Sequence, residues 1–318
     1  MDAAGMEILE KNAGVSVSPD FSEEVLIREI TNADAVVIRN MGKISRAVIE
    51  NAGRLKVIGR HGAGFDNVDL QAATERGIPV VYTPEANTES VADHAMGMII
   101  AIGKQIPQAH NAFRKTKNWS VRYEYIGTEI YNKTLGLVGL GRIGRSVVKR
   151  AKGFSMKILA YDPYVSEESA RRLGVRLVNL ETLLAGSDFV SVHVPLTKET
   201  YRLIGKREIE AMKTGSYLVN TSRGGIVDEK ALSKALTEGK HAGAAIDVYE
   251  KEPPDLSDPL FTLENAITTP HMAAHTRDAL RRMAVTVAKD VIRVLKGKTP
   301  RYVANPQVLP EKKIRKGR

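Results

Sequence analysis

The chain alternates short runs rich in Val and Ile with longer stretches in which apolar residues recur every three or four positions. Runs of the first kind lie at 15–18, Ala35–Ile38, 56–58, 80–82, 135–138, Lys157–Tyr161, 189–193, Tyr217–Asn220, 242–248 and 266–269. The segments between them, such as Glu23–Ile30 and 229–238, carry helix periodicity, and Gly239 follows the second as a C-cap. Strands alternating with helices predict an α/β fold of parallel, doubly wound sheets. Ten strands exceed one comfortable sheet, so they divide into a first set of four and a second set of six.

An apolar helical segment at 89–103, followed by a polar stretch at 104–118 with no strand signal, reads as the crossover between the sets. A last periodic segment, 278–295, precedes Gly297, Pro300 and Pro306, so the chain returns to the first domain before it ends. The expected organisation is two doubly wound domains, residues 1–103 with 290–318, and residues 104–289.

Composition narrows the chemistry. With 318 residues, 43% hydrophobic and 26% charged, the chain is an ordinary globular one with room for two cores. Cysteine is absent, which removes disulfides, thiolate metal sites and a cysteine nucleophile. Chemistry must come from His, Ser, carboxylates, cations or a cofactor, and no metal is expected. The net charge of +10 raises a polyanion as partner, but residues 311–318 hold five basic residues against one Glu. Aromatics make up only 5% and never alternate with basic residues, so no nucleic-acid partner is expected. The longest apolar stretch, 95–102, is less than half a membrane span, and the N-terminus lacks a basic start followed by an apolar run. A soluble, cytoplasmic protein with no membrane partner is the expectation.

The most informative stretch is LGLVGLGRIG at 135–144, where an apolar strand runs into Gly139, Gly141 and Gly144 and then a helix. Gly139 permits the tight turn, Gly141 a close backbone approach to a pyrophosphate, and Gly144 close packing of helix on sheet, while the helix N-terminus offers free N–H groups. The next strand ends in Asp162, eighteen residues beyond Gly144, placed to accept hydrogen bonds from ribose hydroxyls. No cation follows to neutralise a 2′-phosphate, so the expected cofactor is NAD. Three other strand ends carry polar residues: TSRGGIVD at 221–228, YEKEPP at 249–254 and PHMAA at 270–274. Ligands of open α/β sheets bind at such ends.

These motifs, with GRHGAGFDNVD at 59–69, Asn87 and SVA at 90–92, DVYEKEP at 247–253 and Pro270 before His271, resemble the D-isomer-specific 2-hydroxyacid dehydrogenase family, most of all its phosphoglycerate branch, from about residue 35 to 306. The resemblance implies a Rossmann NAD-binding domain and a flavodoxin-like substrate domain. It also implies interconversion of a small D-2-hydroxy acid and its 2-oxo acid, either phosphorylated or, alternatively, glyoxylate or hydroxypyruvate. It makes His271 the acid/base, Glu252 its partner and Arg223 the holder of the substrate carboxylate and carbonyl. Physical chemistry agrees: alcohol oxidation needs a group titrating near neutrality at the hydroxyl, a carboxylate favours imidazolium, and a guanidinium fork fits a carboxylate.

The family further implies that backbone N–H groups of His61, Gly62, Ala63 and Gly64 cradle the carboxylate and that Asn87 lines the cleft. Arg142 and Ile143 would meet the pyrophosphate, and Thr221, Asp247, Ala273 and Ala274 the nicotinamide side. Arg60 would either bind a substrate phosphate or bridge to a neighbouring acid. His94, His110, His193, His241 and His275 read most simply as surface, core or helix-face residues. Relatives open with a strand ahead of the helix that residues 3–11 resemble, so the first sheet is expected to be a strand short, and no C-terminal regulatory domain is expected. A homodimer joined through the apolar 91–102 helix is implied. A non-catalytic, NAD-sensing co-repressor-like protein is the competing class, and a formate-dehydrogenase-like reaction is disfavoured because that branch carries Gln where Glu252 stands.

Overall fold

The computed structural model describes residues 1–310. Contacts divide the chain into two compact units, Met1–Asn87 with the segment from His275, and Thr88–Ala274.

The first unit runs through α1 (Ala3–Glu10), α2 (Glu23–Ile30), β1 (Ala35–Ile38), α3 (Arg46–Glu50), β2 (Val57–Arg60), α4 (Leu70–Glu75) and β3 (Val80–Val81), and α12 (Arg277–Leu295) joins them from late in the chain. Its strands are parallel in the order β1-β2-β3, with Ala35 opposite Val57 and Ile58 opposite Val80. The helix starts are local in origin: Asp2, Ser45, Asp69 and Thr276 each accept a first-turn backbone N–H. One hydrophobic cluster gathers Ile38, Ile44, Val48, Ile49, Ile58 and Val80, and a second sets Val287 and Val291 of α12 with Val57 and Val81. A Cβ on Gly59 would lie 2.8 Å from Val291 Cγ2 and 3.0 Å from Val287 Cγ2, so the missing side chain is what lets α12 sit this close to β2.

Residues 15–18 do not form the expected strand, and Val17 is 80% exposed. Alternating Val and Ser satisfies the pattern of a half-buried strand, but a strand also needs a neighbour for its N–H and C=O groups. Among the described residues β1 is the edge of a three-stranded sheet, and the set of four becomes three.

The second unit carries α5 (Thr88–Gly103), α6 (Ile106–Thr116), β4 (Thr134–Val138), α7 (Arg142–Gly153), β5 (Lys157–Tyr161), α8 (Glu167–Arg172), β6 (Arg176–Leu177), α9 (Leu180–Gly186), β7 (Phe189–Val192), α10 (Lys206–Ala211), β8 (Tyr217–Asn220), α11 (Glu229–Thr237), β9 (Gly243–Ile246) and β10 (Ala266–Thr268). Its seven strands are parallel in the order β10-β9-β8-β7-β4-β5-β6. Six were expected; β6 is a two-residue edge strand, too short to show a period. The winding reverses between β4 and β7, which opens a crevice at the carboxyl ends of those strands.

Both unit boundaries depart from the expected 103/104 and 289/290. Helix α5 buries Ala92, Ala95, Met98, Ile99 and Ile102 in one cluster with Leu135, Phe189 and Tyr217, so it belongs to the second unit. Helix α12 packs along its length on α1 and β2, so it belongs whole to the first. The polar stretch expected to carry no strand forms α6, which buries none of its residues.

Gly59→Ala should lower stability by about 1–3 kcal/mol through overpacking against Val287 and Val291. Urea unfolding measures it; an unchanged midpoint would show that α12 yields freely.

Candidate active site

The glycine turn after β4 is built by close approach. Gly139 has φ 101°, and a Cβ there would lie 2.6 Å from the His193 carbonyl oxygen; at Gly144 it would lie 2.4 Å from the Gly139 oxygen. At Gly141 a Cβ would meet no protein atom within 4 Å, so the space above that residue is free for a ligand. Helix α7 starts there with no side chain capping its N-terminus, leaving N–H groups for an anion. Asp162, at the end of β5, accepts the Leu140 N–H at 2.8 Å and the Tyr164 N–H at 2.9 Å, which ties β5 to the turn and leaves its carboxylate further lone pairs.

Two buried polar atoms at neighbouring strand ends have no hydrogen-bond partner among the described residues: Thr221 Oγ1 after β8 and His193 Nδ1 after β7. Burial pushes His193 down to about 4, so its ring is neutral, with Nε2 2.9 Å from Ser191 Oγ. Orphaned buried groups beside an open glycine turn and a free helix N-terminus fit a dinucleotide. Among the described residues no group of three or more His, Asp and Glu is arranged to hold a metal.

The catalytic candidates occupy the ends of β8, β9 and β10. After β8, Asn220 Oδ1 accepts from the N–H and hydroxyl of Ser222, and its amide donates to the Arg223 carbonyl, so the turn is stapled from within. Arg223 Nη1 donates to the Ser222 carbonyl. A Cβ on Gly224 would lie 1.9 Å from the Tyr249 carbonyl carbon and oxygen, so this turn rests directly on the 249–250 peptide.

After β9, Asp247 is fully buried. Its carboxylate accepts the Thr269 hydroxyl at 2.5 Å and the N–H groups of Met272 and Ala273 at 2.8 and 2.9 Å; its backbone carbonyl accepts the His271 N–H at 2.8 Å. His271 stands at φ 49°, a conformation costing a non-glycine residue about 1–3 kcal/mol. His94 Nε2 lies 3.7 Å from the Asp247 carboxylate.

Glu252 Oε2 accepts from His271 Nδ1 at 2.7 Å, and Glu252 Oε1 accepts the Tyr249 N–H at 3.1 Å. Burial pushes the Glu252 carboxyl up, but the hydrogen bond and charge of His271, the Tyr249 N–H and the charge of Arg223 outweigh it and leave the carboxyl below its ordinary range. An ionised Glu252 thus holds the proton on Nδ1 and frees Nε2 for a reacting oxygen. The unit brings together Arg223, Glu252 and His271 from three separate strand ends.

Other expected residues take different parts. Asp247 and Ala273, both expected on the nicotinamide side, are tied to one another through the Ala273 N–H, and Asp247 also accepts the Met272 N–H. In the first unit the His61 and Gly62 N–H groups are taken by the Ile38 and Arg60 carbonyls, which reduces the expected cradle to Ala63 and Gly64. Arg60 donates to Asn67 Oδ1 at 3.0 Å and to the His61 carbonyl at 2.5 Å, bracing that loop from below. Asn87 Oδ1 is buried and unpartnered among the described residues.

The first unit also holds a cavity of about 490 Å³ lined by Arg39, His61, Arg277 and Arg281 with Asp2 and Asp278. His61 is buried there with Nε2 unpartnered among the described residues, and burial, helped by Arg39, pushes it down to about 4. Sequence reasoning missed Arg39, Arg277 and Arg281. Arg39 directly follows a strand end and was findable by that rule; the α12 arginines carried no signal.

A family model for the D-isomer specific 2-hydroxyacid dehydrogenase NAD binding domain matches residues 96–273. The chain belongs to this family. It is 48% identical over 307 residues to the D-3-phosphoglycerate dehydrogenase of Archaeoglobus fulgidus, covering 96% of this chain and 58% of that one. It is 43% identical over 291 residues to the glyoxylate reductase of Korarchaeum cryptofilum, covering 91% and 87%. The D-lactate dehydrogenase of Aquifex aeolicus, solved with NAD and lactic acid, superposes with a TM-score of 0.84 at 32% identity, covering 96% and 93%. The chain spans a little more than half the length of the phosphoglycerate dehydrogenases it matches. Dehydrogenases and reductases as relatives do not support the non-catalytic alternative.

Asp247→Asn should cost about 1–3 kcal/mol, because an amide offers one acceptor oxygen where Asp247 uses two and turns an N–H toward a buried N–H. Chemical unfolding reads the loss; full stability would mean the three donors find other partners.

Proposed function

We propose that the chain is an NAD-dependent dehydrogenase interconverting a D-2-hydroxy acid and its 2-oxo acid. The observation that carries this reading is the 2.7 Å contact of His271 with an ionised Glu252, beside Arg223, in a domain of the NAD-binding family. The nicotinamide supplies the hydride acceptor in oxidation and the donor in reduction. His271 Nε2 takes the hydroxyl proton in oxidation and returns it to the carbonyl oxygen in reduction, with Glu252 stabilising the imidazolium in between. Arg223 holds the carboxylate and polarises the carbonyl. Arg142 and Ile143, at the start of α7, receive the pyrophosphate; Asp162 receives the ribose hydroxyls; Thr221 Oγ1 and His193 Nδ1 offer polar contacts inside the crevice.

The 48% identity to a D-3-phosphoglycerate dehydrogenase, against 43% to a glyoxylate reductase, favours a phosphorylated substrate such as phosphohydroxypyruvate over glyoxylate. The protein acts as a soluble, cytoplasmic homodimer. Among the described residues no helix is long and apolar enough to cross a membrane. Because α5 spends its apolar face inside its own unit, the dimer surface falls instead on 106–131, where Ile106, Phe113, Trp119, Tyr123, Ile126 and Tyr131 are exposed. The basic tail at 311–318 lies outside the described residues.

NADH oxidation over a panel of 2-oxo acids should reveal a substrate, and His271→Ala should lower its kcat by about 10² with NAD binding retained. No turnover on any acid, or near-normal turnover of the variant, would refute the assignment. Asp162→Ala should narrow the preference for NAD over NADP, read as the ratio of kcat/KM values; an unchanged ratio would mean another group reads the ribose.

A further inference from the structure

Glu229 opens α11, five residues beyond Gly224, and the residues already assigned do not account for its placement. Its Oε1 accepts the Glu250 backbone N–H at 2.6 Å. The setting is electrostatically unfavourable: burial pushes its carboxyl up, the Glu250 N–H opposes this, and Glu250, Asp258 and Glu252 push it further up. A solvated Glu would serve the helix dipole equally well without that cost, so the contact with Glu250 is what the placement secures.

Residue 250 is held on its other side too. Tyr201 donates its hydroxyl to Glu250 Oε1 at 2.9 Å, and Arg202 Nη2 lies 4.0 Å from Oε2. The peptide just before it is in contact with Gly224, which leaves no room for a side chain. The segment from Tyr249 to Glu252 is therefore gripped at its start by the Arg223 turn and by Glu229, and two residues on it delivers the carboxylate that holds His271.

We propose that Glu229 is a positioning residue that sets the Glu252–His271 pair against Arg223. Its effect on turnover rests on the dehydrogenase reading above; its effect on the pair does not.

The test compares Glu229→Ala, which removes the acceptor, with Glu229→Gln, which keeps an oxygen there and loses only the charge. Two quantities are read on the full chain with saturating NAD⁺ or NADH. One is kcat on the 2-oxo acid that the unsubstituted protein reduces. The other is the downfield Nδ1–H proton resonance of His271, identified by its loss in His271→Gln. In Glu229→Ala the resonance should broaden away and kcat fall about tenfold or more, as expected when a catalytic group drifts by a fraction of an ångström. Glu229→Gln should keep the resonance and stay within about threefold in kcat, since its acceptor remains. The proposal is overturned if Glu229→Ala keeps the resonance, or if Glu229→Gln loses as much as Glu229→Ala, which would make the charge at the helix start the cause. Absence of turnover in the unsubstituted protein would refute the dehydrogenase reading alone and leave the resonance to decide the role of Glu229.

Discussion

A carboxylate with no access to water organises the reactive end of the second unit. Asp247 is fully buried, and the polar demand of its carboxylate is met because a hydroxyl and two backbone N–H groups converge on its two oxygens. Those donors belong to Thr269, Met272 and Ala273, which bracket His271. The segment is bound by Asp247 on either side of a residue whose backbone is in the left-handed region, and these bonds hold the strained conformation of His271 in place.

Around this anchor, close backbone approach does what side-chain contacts do elsewhere. Gly139 and Gly144 allow the turn beneath the β7 end and the start of α7, and Gly224 lets the Arg223 turn lie on the 249–250 peptide. In the first unit Gly59 does the same for α12 on β2. Each removes a Cβ where two elements meet, so the polar groups they carry arrive at fixed separations.

Charge separates the histidines by role. His61 and His193 are held neutral by burial at strand ends, His193 with Nε2 against the Ser191 hydroxyl. His271, one-third exposed, stands against a carboxylate whose own ionisation is secured by His271, Tyr249 and Arg223 together. Protonating either of the other two would strand a cation out of water.

The α/β class, nine of the ten strands and the glycine turn were legible in the residues, because periodicity and strand-end position are local properties that survive without knowledge of neighbours, whereas Arg223, Glu252 and His271 were singled out through the family resemblance. The strand expected at 15–18 and the two unit boundaries were not, because pairing and burial depend on what lies alongside: α5 is as apolar as a linker helix could be, and its partners sit far along the chain. The same holds for hydrogen bonds. That Asp247 serves the His271 segment, that Arg60 braces its own loop and that the Ala273 N–H goes to Asp247 follow from which donor reaches which acceptor in three dimensions, and residue identity alone leaves every such pairing open.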